Sequence, residues 1–212
     1  MEQINPTRME LLAKRAQIAL AEQGRELLKE KRNALWQELM QTANVVMRES
    51  SEVEAMASHA RHALAQAEAF DGREVVQSAA FAARQPVSLQ VTNVNVMGVH
   101  VPRIERTALT RSNVQRGYSL ASTSSRVDAA AEKYEAELEL VIELAASEMR
   151  LRRLAEEIRK TTTRVNALER VVLPRLEAQR AFIERALEER ERQDLFRLKR
   201  VQAALARKRG AP

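Results

Sequence analysis

The chain has 212 residues, a net charge of +6 and 3% aromatic residues against 45% apolar and 30% charged. That balance suits long helices or a coiled coil and speaks against a thick, many-layered core. Cysteine is absent, which excludes disulfides and thiolate chemistry, while no run approaches about 18 apolar residues and the start, Met1-Glu2-Gln3-Ile4-Asn5-Pro6, lacks a signal-peptide core; a soluble, cytoplasmic protein is expected.

The first element is one long helix, roughly Pro6 to Phe70, about 95 Å at about 1.5 Å per residue. Asn5-Pro6-Thr7 supplies a capping residue and a helix-opening proline, and Phe70-Asp71-Gly72 supplies a glycine stop. Leu35, Leu39, Thr42, Val46, Glu49, Val53, Met56, Ala60 and Ala63 follow alternating steps of four and three, a heptad seam with two polar interruptions. Such a strict period winds left-handed.

Arg73 to Arg84 is predicted as a short amphipathic helix. From Gln85 to Glu105 the period changes to two: Val87, Leu89 and Val91 alternate with Ser88 and Gln90, and Val99 and Val101 flank His100. This predicts a β-hairpin about a Met97-Gly98 turn, which needs support from the helices or from another subunit. Arg106 to Gly117 is polar without a period and reads as a loop.

The return helix is expected from Leu120 to Lys208, about 130 Å long, with Ser122-Thr123-Ser124-Ser125 offering caps. Its seam reads Leu138, Ile142, Ala145, Met149, then Ile158, Thr161, Val165, Leu168, Val172, Leu176, Ile183 and Leu187, disturbed by Arg152 and by an extra four-residue step near Leu176. The fold class is therefore all-α dominated: a long antiparallel two-helix left-handed coiled coil with a small central β-hairpin. The chain divides into an N-terminal helix (1–70), a central segment (71–119) and a C-terminal helix (120–212), forming one elongated domain. If the helices pack from their joined ends, residue n lies level with roughly 190 minus n. That register leaves about the last 25 residues without a partner and places Pro174 level with Ala16, where it should bend the helix.

Few residues offer chemistry. His59 and His62 share one helix turn but have no carboxylate or cysteine beside them, so no metal is expected. His100 is expected as an exposed strand residue. Glu135-Glu137, Glu156-Glu157 and Glu188-Glu189 have no cleft to desolvate them and read as solvated faces and pairing partners, such as Glu156 with Lys160. No glycine-rich phosphate loop exists, so neither catalysis nor a cofactor is expected. Arg197, Lys199, Arg200, Arg207, Lys208 and Arg209 occur with no acidic residue among them. They fit a solvated helix end complemented by cations, or a basic probe meeting an acidic or polar surface. Nucleic acid would need only such clustered cations. Leu195, Leu198, Val201 and Leu205 at helical spacing favour a protein sleeve.

Four segments in order carry a resemblance: Asn5-Pro6-Thr7-Arg8-Met9-Glu10-Leu11-Leu12, Val96-Met97-Gly98-Val99-His100-Val101-Pro102-Arg103-Ile104-Glu105, Ile158 through Glu169 with its run Thr161-Thr162-Thr163, and Leu187-Glu188-Glu189-Arg190-Glu191-Arg192 to Phe196-Arg197-Leu198-Lys199. Together the chain resembles the D subunit of the V-type and archaeal-type ATPases. The three threonines are unfavourable by propensity, and their hydroxyls are expected to bond to the preceding turn.

The resemblance implies the central rotor stalk of a rotary ATPase or ATP synthase, a non-catalytic, cytoplasmic subunit peripheral to the membrane as part of a membrane-bound complex. Its implied partners are the catalytic and non-catalytic subunits of a hexamer, the small rotor component known as the F subunit, and a funnel-shaped subunit on the ion-translocating membrane ring, with no direct nucleotide and no nucleic acid. A shaft that turns in a ring needs weak, remakeable contacts, such as exposed ion pairs of about 0.2 to 1 kcal/mol. Arg8, Lys14, Arg15, Arg197, Lys199 and Arg200 are the residues expected to face the hexamer wall. Val96, Met97, Gly98 and Val99, with Met97 and Val99 exposed, are the expected hairpin contact. A prefoldin-like chaperone subunit shares the plan of two helices and a hairpin, but its arms are shorter and end nearly level; a nucleic-acid-binding coiled coil is the other alternative.

Overall fold

A computed structural model describes residues 5–84, 86–104, 109–112, 115–119 and 123–209, with side chains through Leu205. Expectations on Gln85, Glu105, Arg106, Leu120, Ser122 and the side chains of Arg207, Lys208 and Arg209 lie outside the described residues. The elements are α1 (Arg8–Asp71), α2 (Arg73–Ala82), β1 (Val91–Val96), β2 (Val99–Ile104), α3 (Ser125–Ala167), a π-helical turn (Leu168–Val172) and α4 (Leu173–Arg209). The all-α-dominated class with paired long helices and one small antiparallel hairpin is what the structure has. Two compact units are distinguished: one joins α1 through Asn33 with the chain from Arg159 on, and the other spans Ala34–Ile158.

In the first unit, α1 opens with Thr7 rather than Asn5 as its cap: the Glu10 N–H donates to Thr7 Oγ1 at 3.2 Å. Ile18, Val165, Leu173 and Ile183 are buried, the last completely. Arg8 bonds Glu191 at 2.7 Å, Arg15 bonds Glu184 at 2.8 Å and Lys29 bonds Glu169 at 2.7 Å. By equal rise between the last two pairs, Pro174 lies level with Gly24, not with Ala16. The return helix begins at Ser125 instead of Leu120 and its π turn takes up one more residue, which moves the register in this direction. Cross-helix contacts among the described residues therefore run to Glu191, and the unpaired stretch starts at Arg192, later than expected.

The π turn explains the broken rhythm. Thr161 and Val165 are buried and Leu168 is half-buried, so a strict heptad puts Val172 next in the seam. Instead Val172 is 36% exposed and Leu173 only 6%, followed inward by Leu176, Ile183 and Leu187. The step from Leu168 to Leu173 holds one residue too many for the period. The Leu173 N–H reaches the Leu168 carbonyl, five residues back, and this wider turn absorbs the surplus. Pro174 follows immediately. It has no N–H for the Arg170 carbonyl, and its ring would collide with that carbonyl in an unbroken α-helix. Of the expected threonine hydroxyl bonds to the preceding turn, Thr163 makes one to the Arg159 carbonyl at 3.0 Å. Thr161, wholly buried, makes none among the described residues.

In the second unit, the α1 seam from Leu35 to Ala63 is buried or half-buried at every expected position and continues to Ala67. Thr42 is tolerated there because its hydroxyl donates to the Glu38 carbonyl at 2.9 Å. The early return seam differs: Leu138, Ala145 and Met149 are exposed, and the fully buried residue is Leu154. Leu154 packs with Leu35, Ile158, Val99 and Val101, so the hairpin joins α1 in covering the inward face of α3.

That hairpin closes on Met97 and Gly98, both at positive φ (51° and 83°), the backbone of a two-residue turn. The Gly98 N–H donates to Asn95 Oδ1 at 2.8 Å. The turn fixes the register: Val96 pairs with Val99 and Val91 with Ile104, the last residue of β2. Val87 and Leu89 consequently precede the strand instead of belonging to it. Val99 and Val101 share one face and are covered, so Val99 is buried and not exposed; Met97 and His100 are exposed.

The segment that read as a featureless loop is a strap tied to α3. The Thr110 and Arg111 backbone N–H groups donate to Glu139 and Glu135 at 3.1 and 3.0 Å. The Arg116 guanidinium grips Glu135 with two bonds of 2.8 and 3.1 Å, and the Tyr118 hydroxyl donates to Asp128 at 2.6 Å. Gly117 has φ 81° and a Cβ there would lie 3.0 Å from the Ala82 carbonyl oxygen, so α2 and the strap meet where only glycine fits. Beside it Ala67, Val76, Ala79 and Val127 form a second core. The Ser124 hydroxyl donates to the Asp71 carboxylate and accepts from the Arg126 N–H, joining the end of α1 to the start of α3.

Burial alone would push the Glu135 carboxyl up, but the bonds from Arg116 and the Arg111 N–H outweigh it and hold it below the usual carboxylate range. Its stabilising contribution is thus complete above that range and is lost as pH falls through it. Glu135→Gln should lower the urea midpoint at neutral pH and flatten its decline between pH 5 and 3, relative to the unmodified chain, about the span in which a carboxylate titrates; an equally steep decline would show the strap is not acid-labile through this group. Leu154→Ala should cost about 2–5 kcal/mol in equilibrium unfolding, whereas Met149→Ala, at an exposed position, should cost less than about 0.5 kcal/mol.

Candidate functional sites

The two surfaces to which the sequence assigns function lie in different units. In the first unit, the six basic residues fall into two groups. Arg8 and Arg15 are engaged by Glu191 and Glu184 of α4, and the Arg15 bond holds the Glu184 carboxyl below its usual range. Lys14 is mostly covered, 3.5 Å from Glu10 and 3.3 Å from Gln17 Oε1. Arg197, Lys199 and Arg200 lie beyond the paired stretch and are exposed, with Asp194 near Arg197 at 3.9 Å. The exposed α1 pairs are worth little individually, but they do occupy their guanidinium groups. The freer cations belong to α4.

Those cations share α4 with Leu195, Leu198, Val201 and Leu205, all between 53% and 60% exposed. The expected stripe is therefore on the surface. Phe196 at 66% adds to it from a neighbouring face, and Met9 and Leu12 at the start of α1 are 77% and 59% exposed. Sequence pattern does not single out these last three. Their only signal is that they fall off the seam, which many ordinary surface residues also do.

In the second unit, the hairpin brings Met97 and Gly98 to the surface at its turn, while Val96 is half-buried and Val99 turned inward. A cavity of about 720 Å³ beside it is lined by Glu49, Val101, Glu139, Glu143 and Arg150 among others. Glu139 is already committed to the strap, and Arg150 to Glu38. The carboxylate pairs resolve into ion pairs: Glu156 contacts Arg152 and Arg153 at 3.6 and 3.7 Å rather than Lys160, Glu188 and Glu189 both meet Arg192 at 3.8 Å, and Glu135 is held by Arg116. Among the described residues no group of three or more His, Cys, Asp or Glu is placed to hold a metal ion, and no helix is long and apolar enough to cross a membrane. What the described surfaces offer is contact: an exposed apolar stripe, exposed cations and a two-residue turn.

Comparison with known proteins is decisive about kinship. The sequence matches the family model for the ATP synthase D subunit over residues 10–203. It is 42% identical to the A-type ATP synthase D subunit of Thermococcus kodakarensis over 98% of this chain and 97% of that one. The corresponding D subunits of Pyrococcus furiosus (43% identity, 95% of this chain and 94% of that one) and Methanosarcina mazei (38%, 96% and 98%) are similar over nearly their whole lengths. With the match running from the first turns of α1 to the basic stretch of α4, the chain belongs to the D-subunit family of ATP synthases.

Proposed function

We propose that this chain is the central rotor shaft of a rotary V/A-type ATPase or ATP synthase, a non-catalytic subunit that transmits torque between the nucleotide-binding hexamer and the membrane ion-translocating ring. The observation that supports it best is the unpaired part of α4, where Arg197, Lys199 and Arg200 flank an exposed stripe of Leu195, Leu198, Val201 and Leu205. A lone helix with both features needs a sleeve, and weak charged contacts that break and re-form suit a helix that turns within one. The relatives, D subunits of A-type ATP synthases by name, supply the assembly. In this reading the catalytic and non-catalytic hexamer subunits receive the tip, the small rotor F subunit binds along the helices, and a funnel-shaped subunit connects to the ring. The chain is cytoplasmic and peripheral to the membrane, as part of a membrane-bound complex.

The hairpin turn at Met97 and Gly98 is the second proposed contact. Val96 and Val99 act there by fixing the turn against the helices instead of touching a partner. Of the six basic residues, Arg197, Lys199 and Arg200 form the primary charged contact, with Arg8, Lys14 and Arg15 contributing where their own ion pairs exchange.

Native purification through a C-terminal tag should recover a hexamer that hydrolyses ATP with one copy of this chain. Recovery of unfolded clients or nucleic acid in its place would refute the shaft. Reversing Arg197, Lys199 and Arg200 together to glutamate should lower turnover of that complex by roughly ten- to a hundredfold, from three contacts of up to about 1 kcal/mol each. Far-ultraviolet circular dichroism should not change. Undiminished turnover would remove these residues from the drive surface.

A further inference from the structure

Both helices of the first unit carry their weakest helix-forming feature at the same level. On α1 it is Gly24, in mid-helix, where glycine is the poorest residue short of proline. Beyond its two chain neighbours and the backbone of its own helix turns, no atom lies within 4 Å of where a Cβ on Gly24 would sit. Packing therefore does not demand the glycine, and an alanine fits. Opposite it are the π turn and Pro174. The turn has one residue more than the heptad needs, and Val171 within it is 61% exposed. Removing Val171 would shorten the step from Leu168 to Leu173 to four and leave the same apolar residues facing inward. A chain one residue shorter would thus keep both seams inward without the π turn, so the turn answers the extra residue and not the apolar residues it joins.

On either side the helix pair is firm. Val165 lies before this level with 1% exposure, and Ile18 and Ile183 lie beyond it at 7% and 0%. At the level itself the buried Leu173 is joined by ionic links: Arg25 and Lys29 meet Glu169 at 4.0 and 2.7 Å, with all three side chains half-buried. Ionic links of this kind tolerate small displacements that an interdigitated apolar contact does not. Mid-helix π turns and glycines that the apolar seam does not itself require occur frequently at functional positions, where flexibility is kept at a cost in stability.

We propose that Gly24 together with Leu168–Val172 and Pro174 forms a compliant joint through both helices of this unit, allowing the end that carries the basic tip to flex against the remainder of the unit. Only its use rests on the rotor reading: there it would let the tip yield during each power stroke while the rest of the shaft turns steadily.

Hydrogen–deuterium exchange on the full chain tests the joint. Amides of residues 22–28 and 169–177 should exchange at least about tenfold faster than those of the turns around Ile18, Val165 and Ile183. A stiffened chain combining Gly24→Ala, deletion of Val171 and Pro174→Ala should lose that contrast and melt at a higher temperature; Gly24→Ala alone should move both measurements partway if the triple variant does not fold. Uniform exchange along the unmodified unit would overturn the joint, as would a stiffened chain that folds but melts lower, because the π turn would then be needed for packing. In the assembled complex the stiffened chain should assemble normally but turn over more slowly. Full turnover would overturn the use of the joint, whereas failure of the unmodified chain to enter any ATP-hydrolysing complex would instead refute the rotor reading.

Discussion

Two long helices that must bury their apolar stripes on each other are governed by phase. An α-helix has 3.6 residues per turn, so adding one residue rotates everything after it by about 100°. The return helix carries two good seams, Ile158–Leu168 and Leu173–Leu187, that differ in phase by one residue. Continuous α-helix could turn only one of them towards α1 and would expose Leu173 and Ile183, now 6% and 0% exposed. The π turn reconciles the seams, and the placement of every later side chain, including the basic ones of the unpaired stretch, depends on it. Pro174 occupies the one position where the hydrogen-bond ladder is already interrupted, so two irregularities coincide at one place.

In the second unit a different constraint prevails. The hairpin has no independent stability of consequence, and it is held because Val99 and Val101 extend the helices' own core around Leu35 and Leu154. The position of its turn at Met97 and Gly98 is therefore set by packing on the helix pair. The strap is held by polar means. Arg116 is almost completely buried yet fully matched by Glu135, with Tyr118 and Asp128 beside it. Its guanidinium is held well above its ordinary pKa, chiefly by the bond to Glu135. Such a buried pair contributes little net stability compared with an apolar replacement, but removal of one partner is severe, which makes it a specific latch for one chain path.

The contrast between sealed and open surfaces bears on function. The interior is closed by leucine, isoleucine, valine and alanine, whereas the unpaired part of α4 leaves similar residues in solvent beside sparsely paired cations. A chain that buries its seam so economically yet exposes five large apolar residues from Leu195 to Leu205 has a surface shaped by something outside itself. In the proposed rotor reading, that surface meets the other subunits of the ATP synthase, to whose D-subunit family the chain belongs.

Sequence by itself determined the class of fold, the two long helices, the glycine stop at Gly72, the short helix after it, the two-residue hairpin turn and the apolar stripe of the tip. Each of these is written in periodicity or in turn chemistry, which act over a few neighbouring residues. Residue-level resemblance added the family. Tertiary structure alone decided what depends on distant partners. Leu154 rather than Met149 became the core residue because Leu35 and the hairpin both pack there, Val99 turned inward onto the same core, and Val172 gave way to Leu173 because two seams had to meet one partner helix. The strap was invisible for a related reason: Arg116, Gly117 and Tyr118 have no period, and their meaning comes from Glu135, the Ala82 carbonyl and Asp128, which lie far away in the chain and close only in the fold.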